Sequence, residues 1–461
     1  MASEIRVNQI QSRTGVSTVS FTDTGPIFAG VSTVQGTLTV DGGVTADITG
    51  NVTGNVTGDI TSSGISTFDV ITGVSTIGVT TVHLTGINDL NYPTAGSLSN
   101  RNIVINGAMQ VAVRGTSSTS DGYKTIDRMR PAFAQVSVTQ SQQTLTEGSP
   151  YDEGFRYFFR LANTSTSSAT NAYAQLEHRI EAQNMAQSGW KYKDSSSSIV
   201  CSFWARSSLA GTYYAQYRAE DVGNFYFNRS FTLAADTWTK IEQTIPGHSS
   251  LVFDNNTDMG FDIVIVPHYG TLYTGSSVAS NSWYTRSGDN YLPDYAQNWA
   301  NTSSATFDIT GLQLEIGQRA TSFEHRTYAD DLAKCQRYFH GWNAGSSTQR
   351  AVTGIKVYDF EGNSSANQTT TIGTGSVVDA DDSRIEFAFP VSMRAKPSID
   401  VGDLRLITGS TIHNSSTTIQ YNNSTTHNFS ALVDNASSMT AGQCAHLIIK
   451  GNGYFYLDAE L

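Results

Sequence analysis

Apolar and polar residues alternate with a period of two in several segments of this chain. In "SSIVCSFWARSS", Ile199, Cys201, Phe203 and Ala205 fall on one face and Val200, Trp204 and Arg206 on the other. "GFDIVIVPHYG" and "ATFDITGLQLEIG" are equally strand-like, and in the latter Leu312, Leu314 and Ile316 share a face opposite Gln313 and Glu315. Successive side chains of a strand point to opposite faces, so this pattern predicts β-strands with one buried side. Several such strands joined by polar loops predict a mainly β protein, with a β-sandwich of about 230 residues over 98–326. One segment carries the helical period instead. Thr327 stands as a cap with Asp330 at the third position, and Tyr328, Leu332, Cys335 and Phe339 form a stripe along "YADDLAKCQRYF". That spacing predicts a connecting helix over 327–341. Beyond it, "RIEFAFPV", "AHLIIK" and "YFYLDAEL" predict strands of a small terminal β domain over 342–461.

The first hundred residues follow a different rule. "GVST" occurs at Gly15, Gly30 and Gly73, "GIST" at Gly64, and "NVTG" at Asn51 and Asn55. Each unit holds one β-branched apolar residue, a threonine and a glycine. A unit this small cannot bury its own apolar residue against the entropy of ordering glycine-rich chain. Two readings of 31–97 follow. In one it is a thin intertwined β shaft of three parallel copies, valines inward, threonines outward and glycines at the turns. In the other it is a flexible tether, although a glycine–serine tether would lack the regularly placed valine and isoleucine. Residues 1–30, with Ile5, Val7 and Ile10 among charged and amide side chains, read as a short anchoring segment. "NYPTAGSLSN", Asn91 to Asn100, is a turn-rich hinge.

Composition narrows the function. Charged residues make up 15% of the 461, below the usual quarter, and Ser, Thr, Asn and Gly take their place. The 40 glycines and 9 prolines show no Gly-X-Y period, which excludes collagen. The net charge is -12 with no lysine- or arginine-rich run, which argues against a nucleic-acid partner. No apolar run reaches membrane-spanning length and "MASEIRVNQIQ" is no signal peptide, so membrane insertion is not expected. Cys201, Cys335 and Cys444 are odd in number and far apart, which predicts buried thiols in a chain made in a reducing cytoplasm.

The stretch His268 to Trp299 is the richest in recognition chemistry. Its candidates for glycan binding are Tyr273, Trp283, Tyr284, Arg286, Asp289, Tyr291 and Trp299. Sugar rings present C–H faces that stack on aromatic planes, while their hydroxyls need charged or amide partners. The competing reading is that these rings pack the loop onto the sandwich. A second candidate surface is His413 to Ser430, with His413, Tyr421 and His427. Catalysis is not expected. Glu315 and Glu324 could face each other as acid and base, yet one surface glutamate and one salt-bridged glutamate is the plainer account. No G-x-S-x-G, H-E-x-x-H or phosphate-cradling motif occurs. Asp379, Asp381 and Asp382 could hold a hard cation or simply form an acidic turn, and the nine histidines show no metal spacing. No cofactor and no metal are therefore expected.

Longer phrases resemble a known family. "RNIVINGAMQVAVRGTSS" leads, after a short gap, to "DGYKTIDRMR". Asn106-Gly107, Arg114-Gly115 and Asp127-Arg128 fall within these phrases. They are followed by "ITGLQLEIGQRATSFEHRTYADDLAKCQRYF", "FPVSMRAKPSI" and a closing "LDAEL". The succession resembles bacteriophage tail-fibre proteins with a carbohydrate-binding-module-like jelly roll and a C-terminal knob, and the repeats resemble fibres of phages that infect cyanobacteria. The resemblance implies a homotrimeric virion fibre made in the host cytoplasm. Its N-terminal segment (1–30) would engage other tail or baseplate proteins, and its outer end a host surface polysaccharide. A non-receptor structural fibre on neck or capsid is the alternative, with a polysaccharide depolymerase less expected. Three copies would carry about -36, so attraction to an anionic surface must come from short-range contacts, summed by avidity.

Overall fold

Alternation closes into two sheets between Ser117 and Ile316. The computed structural model describes residues 99–343 and 369–461, apart from Gln297, Ser410, 414–416 and 435–437. The attachment segment (1–30) and the repetitive shaft (31–97) expected from the sequence lie outside the described residues. The first strands are β1 (Ser117–Ser118), β2 (Arg130–Ala134), β3 (Val138–Thr144), β4 (Tyr157–Asn163), β5 (Tyr173–Glu181) and β6 (Ser198–Ser207). They are followed by β7 (Gly211–Ala219), β8 (Phe225–Leu233), β9 (Thr239–Pro246), β10 (Met259–Tyr269), β11 (Trp283–Thr285) and β12 (Thr306–Ile316). One six-stranded sheet runs β1-β3-β4-β12-β6-β9 and the other β11-β8-β7-β10-β5-β2. Neighbouring strands pair antiparallel in both, as in β12 with β6 and β10 with β5.

The inner faces of the two sheets share one core. Ile199, Cys201, Phe203 and Ala205 of β6 meet Tyr213, Ala215 and Tyr217 of β7 and Phe261, Ile263 and Ile265 of β10. Phe307 lies 5.0 Å from Tyr213, and Phe203 lies 5.5 Å from Phe231, both edge to face. Each such side chain contributes roughly 1.5–3 kcal/mol by leaving water. In β12 the inward residues are Phe307 and Ile309, then Leu312 and Leu314, so the alternation changes phase midway. The register with β6 shifts between Thr310 and Gln313, a bulge that turns the second half of the strand back to the core. Gly311 makes this possible: its φ is +66°, and a Cβ there would stand 2.7 Å from the Phe155 ring.

Three helices are described: α1 (Ser149–Asp152), α2 (Ala182–Ala186) and α3 (Tyr328–Gln336). Thr327 caps α3, its hydroxyl accepting the Asp330 N–H at 3.2 Å. The helix ends at Gln336, short of the expected 341, and the expected stripe does not form. Tyr328 is 44% exposed, and Phe339 belongs to the next strand. The chain leaves the helix there because residues 339–343 find a strand partner.

The terminal sheet comprises β13 (Phe339–Asn343), β14 (Thr369–Val377), β15 (Asp382–Ala388) and β16 (Ser398–Thr408). It continues with β17 (Thr411–His413), β18 (Thr418–Asn422), β19 (Asn428–Asp434) and β20 (Cys444–Asp458). "AHLIIK" and "YFYLD" are two halves of the single strand β20. It pairs with β16 along one edge, and with β14 and then β13 along the other. Cys201 and Cys335 are buried free thiols, but Cys444 is exposed, contrary to expectation. It stands at the start of β20, and Ala445 is the first residue of that strand to enter the core.

Charged hydrogen bonds join the terminal sheet to the sandwich. Arg114 donates to Asp458 at 2.7 Å and to Glu460 at 3.1 Å, and Arg128 pairs with the other Glu460 oxygen. The two guanidiniums stack 3.6 Å from the Phe339 ring centre and 3.5 Å from that of Tyr338. Arg337 forks onto Glu181 with two bonds of 2.7 Å, and the Tyr338 hydroxyl donates to the same carboxylate at 2.5 Å. Arg128 is 1% exposed, so losing its partner would leave a buried, uncompensated charge. Glu460→Gln is therefore expected to lower the unfolding free energy by about 3–5 kcal/mol. Urea titration of the full chain checks this, and wild-type stability in the variant would refute the junction's role.

Candidate functional site

The second sheet is covered on its outer face as well. Odd-numbered residues of β5 point outward there, namely Tyr173, Gln175, Glu177 and Arg179, beside Gln216 and Arg218 of β7, Asp262 and Val264 of β10, and Arg130 of β2. The chain between β10 and β12 folds back over them. Leu292 is fully buried against Tyr214, Val264 and Val266. Gln216 and Asn228 donate to the Tyr291 carbonyl at 2.7 and 3.0 Å, and the Tyr284 hydroxyl donates to it at 2.6 Å. One backbone oxygen thus takes three donors and fixes the loop to the sheet.

Between loop and sheet remains a pocket of about 240 Å³. Four tyrosines form its aromatic wall. Tyr273 lies 5.6 Å from Tyr173, 5.7 Å from Tyr269 and 6.0 Å from Tyr291, mostly edge to face. Its polar floor is a relay. Arg218 donates to Gln216 at 2.7 Å and to the Tyr269 hydroxyl at 2.9 Å, Tyr269 donates to Gln175, and Gln175 donates to Glu177. Arg130 closes it with a 2.6 Å bond to Glu177, and Arg179 reaches the same oxygen at 2.9 Å.

The buried charges respond to this arrangement. Burial works against ionisation of Glu177, but Arg179, Arg130 and Arg218 together hold its carboxyl below its ordinary value. Asp262 is 1% exposed, and neither of its oxygens is hydrogen-bonded among the described residues. Burial and the neighbouring Glu177 push its carboxyl up to about 8, although Arg218 lies 3.8 Å away. Burial likewise raises the Tyr269 phenol, so its hydroxyl stays a donor at neutral pH.

Of the seven expected glycan-binding residues, Tyr273 and Tyr291 line the pocket. Arg286 leans on the Tyr291 ring at 4.8 Å and donates to Tyr226 at 3.1 Å. Asp289 is exposed. The other three are packing residues. Trp299 is fully buried in the sandwich core, so it offers no stacking face. Trp283 donates to the Pro246 carbonyl at 2.6 Å and packs 5.4 Å from Phe227, and Tyr284 is the loop clip just described. The loop's apolar rings were drawn to the nearest core. The pocket also uses Arg130, Tyr173, Gln175, Glu177, Arg218 and Tyr269, none of them among the expected site residues. Their signal was the polar residues at alternate positions of "YAQLEHR" and "YYAQYR", which mark a sheet face that is neither core nor plain surface.

Among the described residues, the second candidate surface is spread over the terminal sheet. His413 is buried in β17 with its Nε2 2.7 Å from the Thr408 hydroxyl, while His427 is exposed before β19. Tyr421 lies in β18, at the opposite end of the strand order from β17. Glu315 and Glu324 are both engaged with the chain around them. Glu315 accepts from the Thr321 N–H and hydroxyl at 2.8 and 2.7 Å, and Glu324 accepts the Asn102 N–H at 2.9 Å. Asp379 accepts the Asp381 and Asp382 N–H groups at 3.2 and 2.9 Å, closing the β14–β15 turn. A larger cavity of about 600 Å³ lies beside Asn184, Gln187, Lys334 and Arg337. Among the described residues its one aromatic ring is Tyr338, whose hydroxyl donates to Glu181, so no second ring faces it there.

Chemically, the tyrosine pocket offers ring surfaces beside fixed hydrogen-bonding groups, with room for about one sugar-sized ring. No family model and no curated protein matches the chain. Overlaps with solved structures include one described as "CBM4 structure and function", at 8% identity and TM-score 0.25, covering 46% of this chain and 99% of that one. TmCBM61 in complex with β-1,4-galactotriose overlaps at 9% identity and TM-score 0.22, covering 47% and 98%. The N-terminal cellulose-binding domain of the Cellulomonas fimi β-1,4-glucanase C overlaps at 9% identity and TM-score 0.23, covering 47% and 100%. At TM-scores this low, what the pocket binds has to be argued from its own geometry.

The Asp262 carboxyl makes stability depend on pH. Below about pH 4 it is protonated in folded and unfolded chains alike, and between there and about pH 8 the folded chain alone holds the proton. Its contribution to stability therefore declines as pH rises through that window. Asp262→Asn removes the dependence, so the variant should gain on wild type from pH 5 to pH 8. Urea midpoints at the two pH values measure this, and a constant difference would contradict it.

Proposed function

We propose that this chain is a non-enzymatic glycan-binding subunit of a phage tail fibre, attaching the virion to a host cell-surface polysaccharide. The observation that carries the reading is the pocket of Tyr173, Tyr269, Tyr273 and Tyr291 over the Arg130–Glu177–Gln175 floor. Tyrosine faces stack on the C–H faces of a sugar, and the fixed amide, carboxylate and guanidinium groups take its hydroxyls. The sequence resemblance to tail fibres supplies the setting: a homotrimer on a repetitive shaft, a jelly-roll body and a terminal knob. A shallow pocket of one-ring size binds weakly, and three copies per fibre convert weak sites into firm attachment.

The non-enzymatic reading draws support from Glu315 and Glu324, whose oxygens are spent on anchoring the chain around them. A spacer fibre would have no use for a tyrosine-walled pocket, which favours the receptor role. Full-length protein should sediment as a trimer and bind purified host polysaccharide, and the polymer should keep its length on size-exclusion chromatography. Tyr273→Ala should weaken binding about tenfold through loss of ring contact. Unchanged binding in the variant would remove this pocket from the reading, and a shortened polymer would replace attachment by depolymerisation.

A further inference from the structure

We infer that the tyrosine pocket selects a sugar bearing a carboxylate, a uronic-acid residue, whose charge Arg130 and Arg218 meet while the tyrosine rings take its C–H face. This rests on the glycan-binding reading of the same pocket and adds the chemical class of the sugar.

Three guanidiniums, Arg130, Arg179 and Arg218, act on one carboxylate, Glu177. Arg179 is committed to Glu177 and to the main-chain oxygen of Leu461, so Arg130 and Arg218 are the guanidiniums that line the pocket, with Glu177 and Asp262 as the acids beside them. With Asp262 holding its proton, these two cations face one charged acid. Most of the acceptor capacity of Glu177 is taken, Gln175 bonding one oxygen and Arg130 and Arg179 sharing the other. Arg218 uses its Nε and one terminal nitrogen on Gln216 and Tyr269, and its remaining terminal nitrogen has Asp262 at 3.8 Å, beyond hydrogen-bond distance. Arg130 bonds Glu177 through one terminal nitrogen. The uncommitted capacity of the floor is thus mainly cationic and donating.

Other charges nearby do not cancel this. Arg286 and Glu220 both contact the Tyr226 hydroxyl and offset each other there. Asp121 and Asp289 are exposed, where solvent screens them. A buried guanidinium with incomplete pairing is costly unless an anion completes it, and planar carboxylates match its fork. A cationic guest fits poorly, because the Tyr291 ring already has Arg286 at 4.8 Å and Arg218 at 5.5 Å.

The test measures calorimetric binding of the full chain to oligosaccharides of glucuronate, galacturonate and mannuronate. Their methyl esters, which keep the ring but lose the charge, and sulfated galactose oligomers are the comparisons. At least one uronate should bind about tenfold or more tightly than its own ester. Arg130→Gln should abolish that preference; the side chain is 27% exposed, and Glu177 retains Arg179 and Arg218. Tyr273→Ala should weaken acid and ester alike. Esters bound as tightly as acids would overturn the uronate inference and leave glycan binding standing. Preference for the sulfated oligomers would overturn the carboxylate. If no oligosaccharide of any kind binds, the inference and the reading it rests on both fall.

Discussion

The second sheet of the sandwich is buried on both faces over most of β5, β7 and β10, and the need to satisfy the polar groups of its outer face there organises much of the molecule. Its inner face meets the first sheet through aliphatic and aromatic side chains. Its outer face carries glutamate, aspartate, arginine and glutamine, which burial makes expensive unless each finds a partner. The loop over it answers that demand with backbone: the Tyr291 carbonyl receives Gln216, Asn228 and Tyr284. Where loop and sheet part, the same groups are left to face a guest.

Arg179 ties this site to the rest of the chain. It binds Glu177 on the pocket side and donates to the main-chain oxygen of Leu461 at 2.8 Å on the other. Arg128 and Arg114 continue the row toward Glu460 and Asp458. Asp127 lies within this row, and burial pushes its carboxyl up to about 7 despite Arg114. The junction and the pocket therefore share one physical design, in which guanidiniums on the sandwich are met by acids and carbonyls brought from distant parts of the chain. Such pairs are costly to bury and costlier to break, so they favour one arrangement over near alternatives.

Strand identity was largely legible and site identity largely was not. β6, β10 and β12 stood out because one side of each packs aliphatic and aromatic residues into the sandwich core, and that side recurs at every second residue although the other side is buried too. The bulge at Gly311 was hidden, since a phase change in a strand looks like imperfect alternation. The end of α3 was misread because Phe339 continues a helical stripe in sequence yet finds a better partner in β20. Within the loop, Tyr273 and Trp299 are equally plausible stacking residues on paper. One lines the pocket and the other is the core's largest fully buried side chain.

The sequence by itself determined the mainly β class, the strands with a clear inner face, the capped start of α3 and a neutral polar character with net negative charge. Those features are local or additive, and each can be read without knowing what lies across the fold. Only the tertiary structure decided which rings stay outside, which carboxylates are spent on anchoring, and which arginines converge. Arg130, Glu177, Arg218 and Tyr273 lie far apart along the chain, and their meeting depends on strand order and on the return of one loop. Charge and hydrogen-bond partnership are properties of distance, and the distances between remote residues are set by the fold.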